Sequence, residues 1–309
     1  MAGNDLLVRF WGVRGSYPVP GQNTMRYGGN TSCIEVRAKN HIIILDAGTG
    51  IINLGKRLLQ ELQQKASKGA QQSLAINLLF SHTHYDHVQG FPYFLPAYQL
   101  ESVLNVYGPK AFSQELAHII SSTMAPQFSP IELDELTAQI NIQNINENHL
   151  LIFNENSDQP NICTQNQLQQ PLRQDVLIRL MRSYAHPKVG VFAFRVEVND
   201  KSVVYATDTE GYVGGDSRMI NFAKEAELLI HDAQYEPEEY TDAKFPKQGF
   251  GHSTYEMAAN VARAANVKHL VLFHHDPAHD DDKIADMEAK TRVLFPNTTA
   301  AAEGLEFTF

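Results

Sequence analysis

Apolar residues recur along this chain with two periods. Short apolar or alternating runs bounded by Gly, Pro, Asn or Asp read as strands over 6–10, 34–37, 41–45, 75–80, 103–107, 176–184, 191–198, 202–206, 227–231, 267–273 and 305–309. Ile51, Leu54, Leu58, Leu59 and Leu62 fall at helical spacing and turn one face of a 51–65 helix inward. Further helices are predicted over 111–122, 216–226, 253–265 and 280–295, the third opened by a Ser/Thr cap with Glu256 three residues on. The aromatic-rich stretch 89–100 contains Pro92 and Pro96 and reads as a broken helix, with Tyr93 and Phe94 in the core. Two Gly-rich loops, 12–20 and 26–32, interrupt the first strands.

The pattern weakens between 139 and 174, where Asn and Gln dominate around Ile140-Ile142-Ile145 and Leu150-Leu151-Ile152-Phe153. Its second part, 154–174, reads as a polar insertion without an apolar face: a substrate lid, a homodimer contact or a tolerated surface loop. With 309 residues and 43% hydrophobic content the chain can bury a large core. The formal charge of −10 has the wrong sign for gripping nucleic acid through its phosphates. No secretory signal or membrane-length apolar run is visible, and Cys33 and Cys163 show no metal-binding spacing, so a soluble cytoplasmic protein is expected.

The densest chemistry follows the 75–80 strand. Ser81-His82-Thr83-His84-Tyr85-Asp86-His87 places three imidazoles and a carboxylate at that strand's carboxyl end. Such donors suit zinc, manganese or iron better than a thiolate-preferring ion. His82 and His84 can face one ion, and Asp86 and His87 a second one close by.

This segment resembles the H-x-H-x-D-H signature of the metallo-β-lactamase superfamily. Four further stretches match the family's pattern in order: Ile42-Ile43-Ile44-Leu45-Asp46-Ala47-Gly48-Thr49-Gly50, Ser183-Tyr184-Ala185-His186-Pro187, Val203-Val204-Tyr205-Ala206-Thr207-Asp208 and Leu270-Val271-Leu272-Phe273-His274. The resemblance implies an α+β fold, a four-layer αββα sandwich forming a single domain over 1–309. It also implies two divalent ions per chain, Zn2+ or Mn2+ with Fe2+ as a further option. One would take His82, His84 and His186, the other Asp86, His87 and His274, with Asp208 bridging. Asp46 is then expected beside the ligands, fixing an imidazole tautomer, and His275 is the alternate to His274. A water activated between the ions, rather than a side chain, is the nucleophile so implied.

Leu229-Ile230-His231-Asp232-Ala233 and Gly251-His252-Ser253-Thr254 resemble the acid and His-Ser-Thr pair of ribonuclease Z and its cyclic-nucleotide phosphodiesterase relatives, in which the histidine protonates the leaving alkoxide. The catalytic residues expected are therefore His252, Asp232 and Asp86, with Arg14 in the first Gly-rich loop as a phosphate contact or a solvated loop residue. Ribonuclease Z carries a long basic arm, commonly between the third-motif histidine and the bridging aspartate, and the interval 186–208 holds little more than a hairpin here. A small phosphodiester such as a 3′,5′-cyclic nucleotide is thus the expected substrate, without stable nucleic-acid binding or membrane association. A tRNA 3′-end endonuclease is the runner-up, and an ester or lactam hydrolase of the same superfamily the further alternative.

Overall fold

The computed structural model describes residues 5–67, 73–167, 175–212 and 214–309. The first half runs β1 (Leu6–Gly12), β2 (Cys33–Ala38), β3 (His41–Leu45), α1 (Gly50–Ser67), β4 (Leu74–Leu79), α2 (Tyr85–Val88), β5 (Ser102–Gly108), α3 (Leu116–Thr123) and β6 (Gln139–Asn144). The second runs β7 (His149–Phe153), β8 (Asn161–Thr164), β9 (Val176–Ser183), β10 (Val191–Val198), β11 (Lys201–Ala206), α4 (Ser217–Phe222), β12 (Leu228–Asp232), α5 (Pro237–Tyr240), α6 (Tyr255–Ala264), β13 (Leu270–Phe273), α7 (Asp281–Leu294), β14 (Thr298–Ala300) and β15 (Glu306–Thr308). They form a seven-stranded sheet, β15-β1-β2-β3-β4-β5-β6, and an eight-stranded sheet, β14-β13-β12-β11-β10-β9-β7-β8.

Three apolar clusters separate four layers. Phe10, Phe153, Phe194, Tyr205 and Phe273 fill the space between the sheets. Ile51, Leu54 and Leu58 of α1 pack on the outer face of the first sheet with Ile76, Leu104 and Phe94. Ala258, Val261 and Ala262 of α6 do the same on the second with Leu229 and Leu272. Each sheet is therefore covered on both faces, which is why its central strands read as continuous apolar runs. This is the α+β sandwich expected, and no helix among the described residues is long and apolar enough to cross a membrane.

The two sheets repeat one device. β3, β4, β5 and β6 run parallel in one, and β11, β12, β13 and β14 in the other. Parallel strands share a carboxyl edge, so loops from both halves meet at one end of the sandwich.

Several local expectations are corrected. The predicted 111–122 helix starts only at Leu116, because Phe112 and Ser113 adopt left-handed backbone in a turn that bridges Ala111 to Gln114. Stretch 89–100 forms two 3-10 turns, Phe91–Tyr93 and Leu95–Tyr98; Phe94 is buried, but Tyr93 is 60% exposed and not a core residue. Thr254, not Ser253, caps α6 by accepting the Met257 amide, while the Ser253 hydroxyl donates to the Thr209 carbonyl. The polar insertion holds a strand, β8, paired to β7, and its Asp158 carbonyl accepts from Asn77 and Asn105 of the first sheet. Its residues 168–174 lie outside the described ones.

Candidate metal centre

The site residues sit where strands end. Asp46 follows β3, the 81–87 loop follows β4, His186 lies beyond β9, Asp208 beyond β11, Asp232 ends β12 and His274 follows β13. Asp46, Asp208 and His274 adopt left-handed backbone, with φ of 64°, 51° and 63°. Such conformations cost non-glycine residues about 1 kcal/mol or more and persist where surrounding structure over-determines them.

Among the described residues four overlapping groups have their ligand atoms within 4.8 Å of one another. Two are the clusters of expected ligands, His82, His84 and His186, and Asp86, His87, Asp208 and His274; two bring in His252, with His186 and Asp208 and with Asp232 and His274. Nδ1 of His84 faces Nε2 of His186 at 2.9 Å. Asp208 joins the clusters: its Oδ1 lies 3.7 Å from His82 Nε2 and 3.9 Å from His186 Nε2, and its Oδ2 3.1 Å from His87 Nε2 and 3.2 Å from His274 Nε2. Asp86 Oδ2 is 3.2 Å from both His87 and His274, and accepts the Ser16 amide at 2.8 Å.

Behind the clusters the imidazoles are tied by their other nitrogens. Nδ1 of His82 meets Ser81 Oγ at 3.1 Å, that of His87 meets Asp46 Oδ2 at 2.8 Å, that of His186 meets the Gly251 carbonyl at 3.2 Å and that of His274 meets Gln234 Oε1 at 3.0 Å. With Nδ1 donating, each Nε2 presents a lone pair inward, as metal ligation requires. The buried Nε2 atoms of His82 and His87 have no hydrogen-bond partner. Orphaned buried nitrogens facing carboxylates are a costly arrangement unless a cation serves them, so the residues present fit two divalent ions.

The electrostatics agree except at His87, where, against the lowering effect of burial, Asp86, Asp208 and Asp46 hold the imidazole well above the usual histidine range. Burial, and then crowding by other imidazoles, holds His82 well below the usual histidine range, and burial also lowers His84 and His186. Against the opposing effect of burial, His87 and His274 hold Asp86 well below the carboxylate range. Asp46 accepts from Ser81 N and Ser81 Oγ at 2.7 Å and from the Tyr205 hydroxyl at 2.8 Å besides touching His87. It therefore orients His87 without joining a cluster.

His252 stands at the edge of both clusters. Its ring stacks on His274 at 4.9 Å and meets His186 edge-on at 5.4 Å. Nδ1 lies 2.8 Å from Asp232 Oδ2, and Asp232 is held in turn by the amides of Asp208, Gln234 and Ser253. Burial disfavours the imidazolium, but the charge and hydrogen bond of Asp232, with Asp208 and Asp86 beyond, raise His252 to about 9.

Two expectations fail on geometry. Arg14 is fully buried, and its guanidinium donates to the carbonyls of Gly28, Asp276 and His279, so it ties loops together and has no face for a substrate phosphate. His275 points away from the clusters, with Nε2 2.9 Å from the Ala301 carbonyl, and burial lowers it to about 3. Gln234, Tyr205 and the Gly251 carbonyl were not singled out in the sequence. Glycine is needed at two places here: a Cβ on Gly15 would lie 2.4 Å from the His274 ring, and one on Gly251 (φ +91°) 2.4 Å from His186 Nδ1.

A model of the beta-lactamase superfamily domain matches residues 41–275. Ribonuclease Z of Picrophilus torridus is 26% identical over 97% of this chain and 94% of its own length. That of Gemmatimonas aurantiaca is 26% identical over 97% and 95%. Among solved structures, the metallo-beta-lactamase fold protein YhfI from Bacillus subtilis superposes with a TM-score of 0.65 at 16% identity, covering 98% of this chain and 99% of that one. Human tRNase Z, short form, does so at 0.60 and 22%, covering 97% and 98%. At such identities the structures speak for the fold alone. The domain match covers well over half of the chain and contains the five motifs, so the chain belongs to the metallo-β-lactamase superfamily.

Proposed function

We propose that the protein hydrolyses phosphodiesters with two divalent ions, zinc or manganese, held by His82, His84, His186, Asp208, Asp86, His87 and His274. The observation that carries this reading is the His252–Asp232 pair, a 2.8 Å contact at the edge of the two clusters. When bound, such ions supply Lewis acidity and lower the pKa of a coordinated water. The chain's own residues supply the rest. Ser81, Asp46, Gly251 and Gln234 fix the ligand tautomers, and Asp232 keeps a proton on His252. Nε2 of His252 then delivers that proton to the departing alkoxide, the poor leaving group that distinguishes a phosphodiester from an activated ester.

The near full-length ribonuclease Z relatives support an RNA phosphodiester as substrate, ahead of the cyclic nucleotide that the sequence put first. A small diester is the second reading, favoured by the −10 charge and by the 186–208 interval, which holds only β10, β11 and their turns. Turnover of a tRNA precursor, a 3′,5′-cyclic nucleotide, a bis-aryl phosphodiester, a β-lactam and a thioester by metal-replete protein tests both. Preference for the precursor, with affinity falling steeply in salt, supports the RNA reading. Preference for the cyclic nucleotide supports the second, and preference for the lactam or thioester refutes both.

A further inference from the structure

We propose that a cleft beside the metal loop, walled by Tyr85, Tyr93 and Phe128, is a stacking site for the nucleobase next to the cleaved phosphate; the identity of its occupant rests on the phosphodiester reading. These rings are 71%, 60% and 80% exposed. They come from three segments, α2, the 3-10 turn after it and the loop after α3, yet line one cleft with Gln89, Thr123 and Ser129. Large aromatics left in water and gathered on one feature mark a binding surface rather than core.

Helix geometry ties the cleft to the centre. Tyr85 stands between the candidate ligands His84 and Asp86, and neighbours on a helix splay by about 100°. Asp86 and His87 turn into the clusters, while Tyr85 and Gln89, four residues apart on one face, turn into the cleft. Cleft and clusters thus flank the same one-turn helix.

The cavity measures about 80 Å³. Pockets that enclose a whole ligand measure roughly 300–1,000 Å³, so this one takes a single flat group. Three of its polar groups are already engaged: the Gln89 amide nitrogen donates to Thr31 Oγ1 at 3.1 Å, and the hydroxyls of Thr123 and Ser129 donate to the carbonyls of Ile120 and Ile131, both at 2.7 Å. Recognition then falls to ring faces, which every base offers, and discrimination among bases is weak.

The test is calorimetric binding of adenosine 5′-monophosphate, uridine 5′-monophosphate and ribose 5-phosphate to the metal-replete full chain. Both nucleotides should bind roughly 5- to 150-fold tighter than ribose 5-phosphate, the range that base–aromatic stacking supplies. Tyr93→Ala and Phe128→Ala, at exposed positions away from the ligands, should reduce that advantage towards unity without weakening ribose 5-phosphate, and Tyr93→Phe should keep it. No base advantage in the wild type, an equal loss for all three ligands, or a wild-type dimer that these variants dissociate would overturn the proposal. Base-dependent binding without diester turnover would refute the phosphodiester reading and leave the stacking site standing. Turnover without a base advantage would do the reverse.

Discussion

Replacing Asp232 by Asn removes the charge that keeps His252 protonated while nearly preserving shape. In the protein as described His252 is raised from 6.5 to about 9, burial working against the shift and Asp232 outweighing it, with Asp208 and Asp86 adding to it. Bound cations would offset the last two carboxylates, whereas Asp232, hydrogen-bonded to the ring at 2.8 Å, would keep its effect. Without it, burial alone remains, and the value falls to 6.5 or below. At pH 8 an acid with a pKa near 9 is about 90% protonated and one near 6.5 about 3%, so the lost proton alone costs about 30-fold in rate. The protonated form is the active one, so the alkaline limb of the pH–rate profile should move down in pH in Asp232→Asn. His252→Ala should cost on the order of 10²–10⁴ on a nucleotide diester. An activated aryl diester, whose phenolate needs no proton, should be nearly spared in both variants. Kinetics on the two substrates from pH 6 to 10, with metal content measured alongside, decide the matter. Equal losses on both substrates in fully metallated variants, or an alkaline limb that does not move, would refute the acid role and leave His252 as a support or a ligand.

Elemental analysis should find two divalent ions per chain, one in Asp86→Ala and fewer in Asp208→Ala, whose carboxylate faces both clusters; one ion in wild type, unchanged in Asp86→Ala, would sink the dinuclear reading. Occupancy should fall on acidification, because the imidazole ligands must be neutral to bind. Gly15→Ala should displace the His274 ring, 2.4 Å from the added Cβ, and lower metal content and turnover together; unaltered metal affinity would show that the 12–20 loop yields instead. Arg14→Ala should cost at least about 2 kcal/mol in chemical denaturation by leaving two buried carbonyls and one part-buried carbonyl without their donor, with KM unchanged in the folded fraction. A raised KM at full stability would restore the phosphate contact that the geometry denies.

The grouping of the candidate ligands was legible because metal chemistry constrains residue type and spacing within one loop. His82, His84, Asp86 and His87 lie in six consecutive positions, and strand-ending motifs supplied the rest in order. The layers were legible for a similar reason: strands buried on both faces tend to be continuously apolar, and 42–45, 78–80 and 270–273 are. Polar and short elements were not, since β8 gains its hydrogen bonds from β7 and β14 from β13 rather than from any period of their own.

Tertiary structure alone decided the direction of side chains. Arg14 has the composition of a phosphate contact and the surroundings of a clamp, because residues 28, 276 and 279 converge on it from loops the sequence keeps far apart. His274 and His275 are adjacent and chemically identical. The left-handed turn at His274 sends one ring to Asp86, His87 and Asp208 and the other to the Ala301 carbonyl. Tyr93 and Phe94 differ by one hydroxyl, yet the 3-10 turn buries Phe94 and leaves Tyr93 in water beside the metal loop. A sequence specifies which groups are available; the backbone's path through space decides which of them face one another.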